Sequence, residues 1–304
     1  MYCTGMTQSC GPDRGNGPIL VTGATGNVGR HVVRLLLLDA GEPVRAAARS
    51  RSAVVEAFGD AVEPVALDFT DPGTWDAAYI GVRRMFLLRP PHLARPKAQM
   101  VPSLEHARAV GVEHTVLLSL QGAERNPVVP HAALERWLRR SGLSWTFVRA
   151  SFFMQNLTMA HVADIRDGSE IVVPAGDGAT AFVDAQDVAA VAAAALLDPA
   201  GHRNRAWTPT GPQALTYTEV AAALSGELGR PITYTRPGLL RYARHARTVL
   251  DLPMAMVLVT SAIYTAARLG RADGLSNDII TVLGRPPISF EEFAHRERNA
   301  WTSN

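Results

Sequence analysis

Lysine is almost missing from this chain. Lys97 is the only one among 30 basic residues, so chemistry that needs a lysine amine has a single position to use. Cysteine is as scarce: Cys3 and Cys10 both sit in a leader rich in Gly, Pro and polar residues. They make neither a disulfide framework nor a zinc-ligand spacing, and a reducing cytoplasm is expected. No apolar h-region follows the start, so no signal peptide is expected. The longest apolar stretches, Val188 to Leu197 and Met254 to Ala267, fall short of the roughly 18 residues that a membrane span needs, and no membrane partner is expected. Neither charge sign dominates: 30 basic against 28 acidic residues give +2, with no basic run to mark a nucleic-acid partner. The nine histidines lack metal spacing, and neither HExxH nor GxSxG occurs, so no metal site is expected.

What remains is ordinary globular usage, 47% hydrophobic and 19% charged over 304 residues. That excludes a disordered chain and allows a sizeable core. Residues 1–17 read as a disordered tail. Apolar strand patterns at Pro18–Val21, Pro43–Ala48, Val62–Leu67, Arg84–Leu88, His114–Ser119 and Ser144–Arg149 alternate with helical periodicities. The helices are Val28–Leu38, Pro96–Val110 and His131–Arg140. This rhythm predicts an α/β fold with a Rossmann-type, doubly wound parallel sheet. After residue 150 the rhythm changes to short β pieces mixed with longer helices, including one capped by Asp187. The expected organisation is a dinucleotide-binding domain over residues 18–156. A smaller mixed α/β substrate region over 157–304 packs on it and is partly interwoven with it.

The turn after the first strand reads Thr22-Gly23-Ala24-Thr25-Gly26-Asn27-Val28-Gly29. One glycine permits a tight strand-to-helix turn, another lets backbone N–H groups approach a pyrophosphate, and the last lets the helix pack on the strand. The helix N-terminus then faces the phosphates. About twenty residues on, an acidic side chain would hold a ribose 2′-OH. Here Arg49, Ser50 and Arg51 stand instead, and an arginine fork suits a 2′-phosphate. The expected cofactor is therefore NADP(H). Asp68 and Phe69 are candidates to flank the adenine. Leu88, Arg89 and Pro90 end the fourth strand, on the carboxyl edge where open α/β sheets bind ligands.

Taken together, the chain resembles the atypical NmrA-like branch of the short-chain dehydrogenases. The resemblance rests on Val21–Gly29, on Val116–Ser119 with Gly122-Ala123, on His131–Glu135, and on Ser141–Arg149 followed by Ser151–Leu157. It extends to Phe182–Asp184, Asp187–Ala189, Thr210–Pro212, Gly284–Pro287 and Phe290–Phe293. It implies a Rossmann core with a small C-terminal substrate region. Known functions in the family range from quinone, dye and imine reductases to redox sensors without catalysis.

The superfamily's Tyr–Lys proton-donor pair is absent: four residues before Lys97 stands Leu93, and no tyrosine lies between Tyr79 and Tyr217. The resemblance leaves Ser119 and His131 as catalytic and nicotinamide-side candidates, with Glu135 one helical turn from His131 and able to hold its imidazolium. It places Ala150, Ser151 and Phe152 against the nicotinamide. Phe153, Met154, Asn156, Tyr234 and Tyr242 are the candidates for lining an aromatic substrate cleft. The expected activity is NADPH-dependent reduction of a quinone, conjugated carbonyl or polycyclic aromatic acceptor, without a metal, in bacterial natural-product tailoring. A redox sensor with a protein partner and a non-redox epimerase or cyclase are the alternatives, and a homodimer is compatible with each.

Overall fold

The computed structural model describes residues 17–39 and 41–302; the tail expected over 1–17, with both cysteines, lies almost wholly outside them. The first six strands are β1 Ile19–Thr22, β2 Val44–Ala48, β3 Glu63–Ala66, β4 Arg84–Leu87, β5 His114–Leu120 and β6 Ser144–Ala150. Then come β7 Phe152–Phe153, β8 Glu170–Ile171, β9 Ala179–Val183, β10 Arg205–Trp207, β11 Ala214–Thr216 and β12 Thr233–Tyr234. Helices between the first six strands are α1 Gly29–Asp39, α2 Arg51–Phe58, α3 Trp75–Tyr79, α4 Pro96–Gln99, α5 Val101–Ala109 and α6 Pro130–Arg140. The later ones are α7 Asn156–Met159, α8 Val162–Arg166, α9 Ala185–Leu197, α10 Pro199–His202, α11 Tyr217–Leu228, α12 Leu239–Thr248, α13 Met254–Arg268, α14 Asp278–Leu283 and α15 Phe290–Glu297.

Seven strands form one parallel sheet in the order β10-β6-β5-β4-β1-β2-β3. Strand order reverses between β1 and β4, which opens a crevice at their carboxyl ends. The central strands are buried on both faces, so β1 and β4 are fully buried and mostly apolar rather than alternating. One face packs on α1 and α9, the other on α5 and α6. Alanines and valines dominate the buried side of α9, where small side chains let it approach α1 and the sheet closely.

The chain crosses between its two parts more than once. After β7 pairs with β9 in a small sheet, α9 and β10 return to the large one, and α14 packs beside α9. A separate apolar core holds the C-terminal helices, built around Phe182, Tyr217, Tyr242, Tyr264, Phe293 and Trp301. Two local expectations need correction. The helix expected over Pro96–Val110 breaks at Met100, because Pro102 cannot continue a helix through its ring and missing N–H. The cap of α9 is Asp184, whose side chain accepts from the Gln186 N–H; Asp187 lies inside the first turn.

Candidate functional site

The turn between β1 and α1 is closed to side chains. Gly23 has φ +62°, and a Cβ on Gly29 would lie 2.1 Å from the Gly23 carbonyl oxygen. A Cβ on Gly26 would lie 3.1 Å from the same oxygen. The backbone itself therefore forms the wall of this concavity at the N-terminus of α1, whose Arg30 and Val32 N–H groups already donate to the Gly26 and Val28 carbonyls. The Leu88 N–H donates to Thr22 Oγ1 at 2.9 Å, and the Leu88 side chain covers Gly23. Thr25, Gly26 and Asn27 are half-buried here, and Val28 is turned into the core.

Arg30 was not among the sequence candidates, yet it belongs to this turn. Its guanidinium donates to the Gly26 carbonyl at 3.2 Å and the Thr25 carbonyl at 3.0 Å. It thus lays a positive charge over the glycine turn. A basic side chain directly after the third glycine was the available signal.

At the end of β2 the three polar candidates divide. Ser50 caps α2, its hydroxyl accepting from the Ala53 N–H. Arg51 donates to the Pro64 carbonyl at 3.2 Å. Arg49 is exposed and, among the described residues, makes no hydrogen bond or ion pair, so its fork is the uncommitted one. Asp68 accepts from the Thr70 N–H and hydroxyl, an Asx turn that, with the Arg49 charge adding weakly, lowers its pKa. Phe69 is 6% exposed and packs in the core with Tyr79, which corrects its placement beside an adenine.

Three buried polar atoms without partners belong to the segments that directly follow β4 and β6 and to the first turn of α6. They are Arg89 Nε, His131 Nδ1 and Ser151 Oγ, none with a hydrogen-bond partner among the described residues. Arg89 is anchored by its Nη1, which donates to the carbonyls of Pro90, Pro91 and Leu93. Burial, with the Arg89 charge acting in the same direction, pushes the His131 pKa down to about 3, so the ring is neutral. Buried polar atoms are nearly always paired, so unpaired ones on this edge, with Arg89 and His131 close enough to interact, fit a polar ligand. Ala150, buried at the end of β6, leads into Ser151.

Glu135 does not hold His131. Its carboxylate accepts Ser119 Oγ at 2.7 Å, Arg149 Nε at 3.0 Å and Arg149 Nη2 at 2.7 Å, with Arg139 Nη2 at 3.2 Å. Ser119 is fully buried and donates into this network. The expected imidazolium–carboxylate pair is therefore replaced by a buried ion cluster that ties α6 to β5 and β6, and Ser119 lies within it rather than on the open edge.

The aromatic wall is also smaller than expected. Phe152 and Phe153 point to different cores: Phe152 sits edge-on to Phe182, with ring centroids 5.6 Å apart, while Phe153 packs against the α1/α9 layer. Both remain half-buried. Asn156, half-buried, opens α7. Met154, Tyr234 and Tyr242 do not line an open cleft. Met154 is 1% exposed, the Tyr234 hydroxyl donates to the Val173 carbonyl, and the Tyr242 hydroxyl donates to Thr260. Asp184 and Asp187 act as struts between the two parts: Asp184 accepts from Gln155 and Arg296, and Asp187 from the Ile288 N–H. Among the described residues no His, Cys, Asp or Glu group could hold a metal ion.

Comparison with known proteins places the chain among reductases of related sequence and fold. The NAD(P)H azoreductase of Xenophilus azovorans is 38% identical over 285 residues, covering 91% of this chain and 96% of the relative. A (4-alkanoyl-5-oxo-2,5-dihydrofuran-3-yl)methyl phosphate reductase of Streptomyces griseus is 36% identical, covering 93% and 99%. The crystal structure of an NADPH-dependent quinone oxidoreductase from Escherichia coli with NADPH superposes with a TM-score of 0.81 at 24% identity, covering 91% and 99%. The NmrA-like family matches residues 15–266, and the chain belongs to that family.

Proposed function

We propose that this protein is an NADPH-dependent reductase of conjugated small molecules: quinones, azo compounds, enones or polycyclic aromatic ketones. The observation that carries the reading is the conjunction of a glycine turn closed to any Cβ with the uncommitted Arg49 beside it. The first fits a pyrophosphate approached by backbone, the second a 2′-phosphate. Arg30 adds charge at the same turn. The unpaired atoms of Arg89, His131 and Ser151 fit the polar carboxamide of a nicotinamide. The names of the azoreductase and phosphate reductase relatives support the reaction class.

When bound, the reduced nicotinamide supplies two electrons as hydride. The chain's own residues then have limited work. Neutral His131 serves as a hydrogen-bonding group for cofactor or acceptor, not as a strong acid, because its ring holds no extra proton near neutrality. The Ser119 proton is held by Glu135. Conjugated acceptors become delocalised anions after gaining hydride, so water suffices as proton source. Phe152 and Phe153, each half-buried, offer apolar surface to a planar acceptor. A place in bacterial natural-product tailoring belongs to the same proposal.

The test is the loss of NADPH absorbance with purified protein, an azo dye and a quinone, with Arg49→Asp run alongside. Turnover with NADPH is expected, and the variant should raise the KM for NADPH at least tenfold while leaving that for NADH nearly unchanged. Binding of NADPH without turnover of any acceptor would favour a sensor.

A further inference from the structure

The helix α13 is anomalous for a protein surface. Its fifteen residues carry one charge, Arg268 at the last position, yet only Val257, Tyr264 and Ala267 are buried. Met254, Leu258 and Val259 are 56%, 65% and 50% exposed, and Ile263 43%. Ala255, Leu258, Val259, Ala262 and Leu269 recur at helical spacing on one outward stripe. The adjoining α12 adds Leu240 at 89% exposure, and Val249 follows it at 56%. Nine of the eighteen large apolar side chains exposed on the described surface fall between Leu239 and Leu269. The two threonine hydroxyls of α13 are bonded to the helix's own carbonyls: Thr260 donates to the Met256 carbonyl and Thr265 to the Ser261 carbonyl. The outward face therefore offers neighbours few polar donors.

The charge of the same segment selects the partner. Residues 239–271 contain five arginines (Arg241, Arg244, Arg247, Arg268, Arg271) and one acid, Asp251. The segment is thus +4 in a chain of +2, leaving −2 for everything else. Arg244 and Arg247 share a face of α12 with Leu240 by their spacing of four and seven. A second copy of this chain would bring one +4 segment against another. An anionic surface that also accepts apolar side chains satisfies both features.

We propose that α12 and α13 dock this protein on the surface of an anionic lipid bilayer. The helices would lie in the interface, with apolar side chains among the acyl chains and arginines at the headgroups. No described helix is long and apolar enough to cross a membrane, and none needs to. The proposal differs from the sequence expectation of no membrane partner, which rested on the lack of a spanning segment. The inner faces of the same helices carry Tyr242 and Tyr264, and Tyr264 contacts Phe152 with ring centroids 5.9 Å apart. A docked protein thus holds its aromatic wall near lipid, where apolar acceptors concentrate. That last consequence rests on the reductase reading; the docking does not.

The experiment is co-sedimentation of the full chain with vesicles of phosphatidylglycerol and phosphatidylcholine in equal parts, and with pure phosphatidylcholine, at low salt and at 0.5 M salt. The wild type should partition onto the anionic vesicles at least tenfold more strongly and be released by salt. Leu258→Asp should reduce binding at least tenfold, and Arg244→Glu about fivefold or more. Leu240→Asp repeats the apolar test at the most exposed position, with circular dichroism confirming that each variant is folded. The proposal is overturned if the wild type stays in the supernatant, if it binds both vesicles equally, or if the folded Leu258 and Leu240 variants bind like wild type. A dimer in solution that Leu258→Asp dissociates would assign the face to a second copy instead. None of these readouts depends on NADPH or turnover.

Discussion

His131 offers a prediction whose size follows from its surroundings. The ring is 8% exposed, its Nδ1 is unpartnered among the described residues, and the pKa falls from 6.5 to about 3. The unfolded chain takes up a proton near 6.5 while the folded chain does not until about pH 3. The folded-state pKa is depressed, so the stability this neutral ring confers is complete above 6.5 and lost progressively as pH falls toward 3. At pH 5 the unfolded ring is almost fully protonated and the folded ring still neutral. Lowering pH from 7 to 5 therefore removes about 2 kcal/mol through this group alone. His114, pushed down to about 4 by burial and Arg84, adds a second loss of similar sign. The assay is urea unfolding without cofactor at pH 7 and pH 5, for the wild type and His131→Gln. Carboxylate and His114 contributions are common to both proteins and cancel in the difference. The variant should lose about 2 kcal/mol less than the wild type between the two pH values. Equal losses in both proteins would refute the neutral, desolvated ring, and with it the assignment of His131 as a hydrogen-bonding group.

Two further substitutions separate architecture from chemistry. Gly29→Ala sets a methyl 2.1 Å from the Gly23 carbonyl, so α1 must retreat from the turn. We expect a stability loss of about 1–3 kcal/mol and at least tenfold weaker NADPH binding by fluorescence titration; wild-type affinity would show that the turn does not hold the cofactor. Ser119→Ala removes a buried donor to Glu135. It should cost about 1–3 kcal/mol in unfolding experiments while kcat changes less than about twofold. A hundredfold loss of kcat in a folded variant would return Ser119 to the reaction.

The parts of the molecule legible in the sequence are those where local pattern and tertiary demand coincide. The strand–Gly23–Gly26–Gly29–helix passage is one, because turn geometry, phosphate approach and helix packing all require missing side chains at the same spacing. The alternation of strands and helices up to β6 is another. Partner choice was not legible. Glu135 is one turn from His131, but β5 and β6 bring Ser119 and Arg149 to it, and a bidentate arginine in a buried setting outcompetes an imidazole. Asp187 looks like the cap from sequence; backbone placement gives that role to Asp184, three residues earlier. From sequence, Met154, Tyr234 and Tyr242 suit a cleft because aromatic and thioether side chains fit a planar ligand. The same properties suit a core, and burial shows that the core took them. Arg30 was overlooked because an arginine in a first helical turn is ordinarily a solvated charge.

The central claim is hydride transfer from NADPH to a conjugated acceptor, and deuterium reports it most directly. NADPH deuterated at the transferring C4 position would be incubated with the protein and a polycyclic enone, and the product analysed by mass spectrometry and NMR. The account predicts one deuterium fixed on acceptor carbon, with a proton from solvent completing the reduction. Consumption of the acceptor with no deuterium in the product, or tight NADPH binding with the acceptor unchanged across quinones, azo dyes and enones, would contradict it.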